Sequence, residues 1–157
     1  MTPERAAYHQ IMLCEGFREE YDQELNEVLD NADPIPQPEL DLALCISDRN
    51  ETLSILNNYV ADHPVDGKRV YDMVLSKMRQ LYEDKVMSAR QLAELMYSIA
   101  DSWDVIFDGP WNEMRHPAYD ADLANNDVIP QDAFLSIFDS FLKTGTHFDI
   151  ITQRAKN

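Results

Sequence analysis

Residues 88–108, "SARQLAELMYSIADSWDVIFD", decide how the rest of the chain is read. Ser88 and Gln91 fit a capping box, in which each side chain satisfies a backbone N–H of the other residue at the start of a helix. Leu92, Leu95, Met96, Ile99, Trp103 and Ile106 then recur at steps of three and four, the spacing that puts side chains on one face of an α-helix. The predicted helix runs to the Gly109-Pro110 break. At about 100° per residue, Glu94, Asp101, Asp104 and Asp108 gather on the opposite face with Tyr97 among them. Trp111 follows just past the turn.

The same periodicity extends in both directions. Thr2 and Pro3 read as an N-cap and a first-turn proline, and Ile11, Cys14, Phe17, Tyr21, Leu25 and Val28 predict one helix of about 27 residues ending near Asp30, weakened in the middle by Gly16. Pro34, Pro36 and Pro38 make residues 31–39 a stiff extended connector. Leu40 to Ile46 supplies one or two helical turns. Asp48 with Glu51 opens a helix through Leu53, Leu56, Tyr59 and Val60 that stops before Pro64. Val70, Val74, Met78 and Leu81 mark the next helix, its stripe widened by Tyr71, Leu75 and Tyr82.

Beyond Gly109-Pro110 the pattern is lost, and residues 111–129 read as a long polar loop. Pro130 starts a helix that buries Phe134, Phe138 and Phe141 with Leu135 and Leu142, and Gly145 ends it. The tail from Thr146 reads as a short helix or a strand. No sustained period-2 alternation occurs elsewhere. The predicted fold class is therefore all-α, an irregular bundle of five to six helices in a single domain spanning 1–157.

A chain of 157 residues buries roughly 70% of the surface its unfolded form exposes, enough for a core without staples. Cys14 and Cys45 lie among apolar neighbours with no metal or redox spacing, and both are expected to be reduced packing residues. No apolar run approaches the 18 or so residues that span a bilayer, and the N-terminus carries Glu4 and Arg5 where a signal peptide has a basic region. A cytoplasmic setting is expected.

Charge is the strongest compositional fact: 29 acidic residues against 13 basic give a net −16. The excess sits in two lobes, with 13 acids against 3 bases in residues 1–61 and 10 against 1 in residues 94–139. Such a field repels nucleic acids and anionic membranes and speeds encounters with cationic proteins. The bases that cluster, Lys68 and Arg69 with Lys77 and Arg79, share their helix with acids and form no stripe for a phosphate backbone.

Little in the chain points to chemistry. Glu113 and His116 have the Glu-x-x-His spacing that aims a carboxylate and an imidazole at one metal, but di-iron bundles need two such pairs. A helical metal-dependent enzyme using these two residues is one alternative. The stretch from Asp120 starts like a calcium loop but offers Ala124, Asn125 and Gln131 where an oxygen ligand, glycine and glutamate are needed. Nucleophile, phosphate and dinucleotide motifs are missing, so no cofactor, metal or catalytic residue is expected.

The acidic stripe is the remaining candidate. Like charges three and four residues apart repel, and acids near a helix C-terminus oppose its dipole, so Asp101, Asp104 and Asp108 cost local stability. A cationic partner would explain that cost, with Tyr97 and Trp111 as anchors and Glu94, Asp101, Asp104 and Asp108 as its salt-bridge partners. Glu20, Glu24 and Glu27 form a second acidic band with no aromatic residue interrupting it. The functional expectation is a small module that binds and neutralises a basic protein such as a toxin or nuclease, as an immunity protein or antitoxin does. A nucleic-acid mimic that occupies a DNA-binding protein is the other binding alternative.

Overall fold

The computed structural model describes residues 1–147, and the part of the predicted tail beyond His147 lies outside them. Among the described residues there are eight α-helices and no strand, so the chain is all-α. They fall into two compact units, Met1–Val70 and the part from Tyr71 onward.

The first unit contains α1 (Pro3–Cys14), α2 (Glu19–Asn31), α3 (Gln37–Leu44) and α4 (Arg49–Ala61). Thr2 caps α1 by accepting the Arg5 N–H at 3.2 Å, and Pro3 occupies the first turn, where its missing N–H is no loss. The expected 27-residue helix is in fact two. Gly16 adopts φ +89, the Gly16 N–H bonds to Leu13 O at 3.2 Å and the Phe17 N–H to Met12 O at 2.8 Å. These two bonds form a Schellman motif, which needs a left-handed residue and ends the helix. Cys14, at the end of α1, is exposed rather than packed, and Cys45 is half-buried; both are free thiols.

α1 is buried over eight consecutive residues, Ala6 to Leu13, and packs against α4. α2 contributes Tyr21 and Leu25 to the core, and α3 contributes Leu42. The connector before α3 is shorter than predicted, because Pro38 fits in the first turn of α3 and the helix resumes at Gln37. Next to Pro38, Glu39 is buried and its carboxylate pairs with the α-amino group of Met1. Asp48 caps α4 by accepting the Glu51 N–H at 3.1 Å.

α5 (Gly67–Glu83) spans the boundary between the units in sequence; of its predicted stripe Val70, Tyr71, Val74, Leu75, Met78 and Leu81 are buried, and Tyr82 is half-buried. The second unit continues with α6 (Ala89–Trp103), a 3-10 turn (Trp111–Arg115), α7 (His116–Asn125) and α8 (Gln131–Thr144). The long loop predicted at 111–129 is therefore mostly helical. Its pattern is hidden because α7 packs through Pro117, Ala121 and Ala124, side chains too small to make an apolar stripe.

α8 buries Phe134, Ile137, Phe138, Phe141 and Leu142, while Leu135, predicted to join them, is 43% exposed. Gly145 ends α8 at φ +73 with its N–H bonded to Phe141 O at 2.7 Å. α5 closes that end: the Tyr71 hydroxyl donates to Gly145 O at 2.7 Å and the Arg79 guanidinium to Leu142 O. These bonds satisfy carbonyls that a helix terminus leaves without partners.

Candidate functional site

α6 starts with both halves of the predicted capping box. The Gln91 N–H donates to Ser88 Oγ at 3.2 Å, and the Ser88 N–H donates to Gln91 Oε1 at 2.9 Å. Its inward face buries Leu92, Ala93, Met96, Ile99, Ala100 and Trp103. That packing turns Glu94 and Asp101 out to solvent, with Tyr97 and Asp104 half-buried beside them. Glu94, Tyr97 and Asp101 are thus brought together on one helix, and Asp104 follows as its C-cap.

Two members of the predicted surface are not on that helix. α6 ends at Trp103 rather than Asp108, so Asp108 is exposed in the turn that follows. Ile106, predicted as core, is 58% exposed, and Phe107 is buried in its place with its ring stacked on Trp103 at 5.7 Å. Trp111 is a core residue and not a surface anchor. It is 1% exposed, its indole N–H donates to Asp108 O at 3.2 Å, and its ring meets Tyr71 edge-on at 5.3 Å. A large apolar ring at the start of a 3-10 turn gains more from burial than from exposure.

The stripe also has an internal counter-ion. Arg115 reaches back from the 3-10 turn, donating to Asp104 Oδ2 at 2.8 Å and approaching Asp101 Oδ1 at 3.5 Å. This contact offsets the repulsion between the two aspartates and their opposition to the helix dipole.

α7 packs beside α6 and adds a residue absent from the sequence-based candidates. Tyr119, 48% exposed, meets Tyr97 edge-on at 5.9 Å. Interaction with the Tyr119 hydroxyl, first by hydrogen bonding and then by charge, and after it the charge of Asp101, holds the Tyr97 phenol above its ordinary pKa. Between the two helices lies a cleft of about 320 Å³, lined by Arg90, Glu94, Tyr97 and, from α7, Ala118, Tyr119, Ala121, Asp122 and Asn125. No apolar periodicity marks α7. The only sequence signal is Ala118, Ala121 and Ala124 at three-residue steps after Pro117.

Glu113 and His116, the pair weighed from their spacing, both contact His147. Glu113 Oε2 accepts the His147 N–H at 2.7 Å, and His147 Nε2 contacts Asp120 Oδ2 at 2.8 Å. The His116 and His147 rings stack at 4.3 Å. Among the described residues no group of three or more histidine, cysteine or acidic side chains is placed to hold a metal ion.

The second acidic band has different surroundings. On α2, Glu24 pairs with Arg5 and lies 2.7 Å from His9 Nε2, and Glu20 accepts the Tyr8 hydroxyl. His9 is 1% exposed, and burial, followed by the charge of Arg5, lowers its pKa to about 3, so it is neutral near pH 7. Burial, and after it the bond to Glu20, pushes the Tyr8 phenol well above its ordinary range.

The chain matches no protein-family model, and no curated protein or solved structure matches it significantly. Among the described residues, no helix is long and apolar enough to cross a membrane.

Proposed function

We propose that this chain is an acidic, cytoplasmic protein-binding module that neutralises a basic partner, such as a toxin or nuclease, in the manner of an immunity protein or antitoxin. The observation that carries this reading is the outward face of α6, where Glu94 and Asp101 are exposed around Tyr97. A net charge of −16 directs cationic proteins toward that face and keeps nucleic acids and anionic membranes away. Blocking is steric and electrostatic, with no chemical step. Trp111 takes no part, and Asp108 contributes only from the turn. Arg115 interrupts the row of carboxylates, which favours recognition of a protein over imitation of evenly spaced phosphates.

The test is affinity capture from the source cell with the wild-type chain beside a variant carrying Tyr97→Ala, Asp101→Ala and Asp104→Ala. The expected result is a basic protein recovered stoichiometrically by wild type and lost by a variant that still folds. Association should slow as salt rises from low to physiological strength. Equal recovery by both chains, or an association rate indifferent to salt, would overturn the reading.

A further inference from the structure

We infer that the cleft between α6 and α7 receives a single arginine side chain from a basic partner; this rests on the protein-binding reading and names the feature of the partner that the surface recognises. A volume of about 320 Å³ lies at the small end of ligand sites, suited to one extended side chain rather than a folded element. Its walls have two chemistries. Tyr97 and Tyr119, which meet edge-on, give an aromatic surface. Glu94 on α6 and Asp122 on α7 add a carboxylate from each side, and both are exposed.

A guanidinium satisfies both walls at once. It stacks on an aromatic face while its fork of N–H donors engages a carboxylate bidentately, and it is more weakly hydrated than an ammonium group. A lysine can use the charge but not the planar stack. An anionic guest would meet two carboxylates against the one guanidinium of Arg90. Arg90 stands one helical turn before Glu94, and its charge repels a cationic guest at that end of the cleft.

The probe is a blocked penta-arginine peptide, compared with penta-lysine and penta-citrulline peptides and titrated into the isotope-labelled full chain while amide shifts are followed. Shifts are expected at residues 90–97 and 118–125, with arginine bound about threefold tighter than lysine, whose ammonium lacks the planar stack and the bidentate fork. Citrulline, which keeps the shape and loses the charge, should not bind measurably. Tyr119→Ala and the double variant Glu94→Gln, Asp122→Asn should each weaken arginine binding several-fold, while Arg90→Ala should strengthen it. All these positions are exposed, and dispersed amide spectra check that each variant folds.

Equal affinity for arginine and lysine, with shifts spread over residues 19–31 as well as α6, would overturn the cleft as a site and leave only general acidity. Partner capture lost in the Tyr97, Asp101 and Asp104 variant but unchanged by Tyr119→Ala would also overturn it, while the broader function stood. Arginine selectivity localised to the cleft, with no partner captured from the cell, would support the cleft and remove the neutralising role.

Discussion

The carboxylates of α2 and of α6 look alike in sequence, acids recurring at helical spacing on one face, yet they have different surroundings. On α2, Glu20 and Glu24 point toward α1 and are held by Tyr8, Arg5 and His9. On α6, Arg115 reaches Asp104 and Asp101, whereas Glu94 is exposed at the edge of an aromatic cleft. Acidity that helps hold a fold together therefore differs from acidity presented outward. The distinction lies in what faces each carboxylate, which residue counts do not reveal.

Removing Glu24 should give the largest effect. Glu24→Ala leaves a buried imidazole and a half-buried guanidinium without their shared partner, and a loss of about 2 kcal/mol is expected in urea unfolding. A loss below about 0.5 kcal/mol would place α2's carboxylates in the same class as those of α6.

His9 sharpens the comparison through pH. Its pKa is lowered to about 3 in the folded chain against 6.5 as the ordinary value, so between these limits the unfolded chain binds the extra proton. Stability should therefore fall as pH drops from about 6.5, with a slope approaching about 1.4 kcal/mol per pH unit from this group, and the effect should be absent above about pH 7. Comparing wild type with His9→Gln between pH 6.5 and 5, before most carboxylates titrate, isolates the contribution. The variant should show the shallower slope.

Arg115→Met tests the intermediate case. Asp101 is largely exposed, so the urea midpoint should fall only slightly, by less than for Glu24→Ala. Association with a basic partner should become faster at low salt as the two aspartates are released. The smallest effect belongs to Glu94→Gln, for which the urea midpoint should correspond to a change within about 0.5 kcal/mol. A loss above 1 kcal/mol would mean that the outward face of α6 is structural after all.

Most helices were legible because their signals are local. Thr2 with Pro3, Ser88 with Gln91, the stripe of α5 and the phenylalanines of α8 each show in a few adjacent turns of sequence. Gly16 was different. The apolar spacing runs on through it from Ile11 to Leu25, so the residues keep helical phase while the chain itself turns at φ +89. Identity alone allows a glycine to be either a weak point or a stop. α7 was missed because small side chains pack it, and Tyr119 was missed with it. The stripe on α6 was legible as far as Asp104, but its end depended on where Trp103 and Phe107 stack, and its counter-ion lies 11 to 14 residues away in sequence. The fate of Trp111 turned on tertiary burial, which no local spacing announces.

The placement of the two tryptophans gives the molecule a built-in reporter. Trp103 and Trp111 both belong to the unit that begins at Tyr71, and the first unit contains none. Emission excited selectively from indole thus follows the opening of the Trp103–Phe107 stack and the Trp111–Tyr71 contact, while far-ultraviolet dichroism follows helices throughout the chain. Superimposed melting curves would mark one cooperative transition. Separated curves would assign each step to its half of the polypeptide without any label being added.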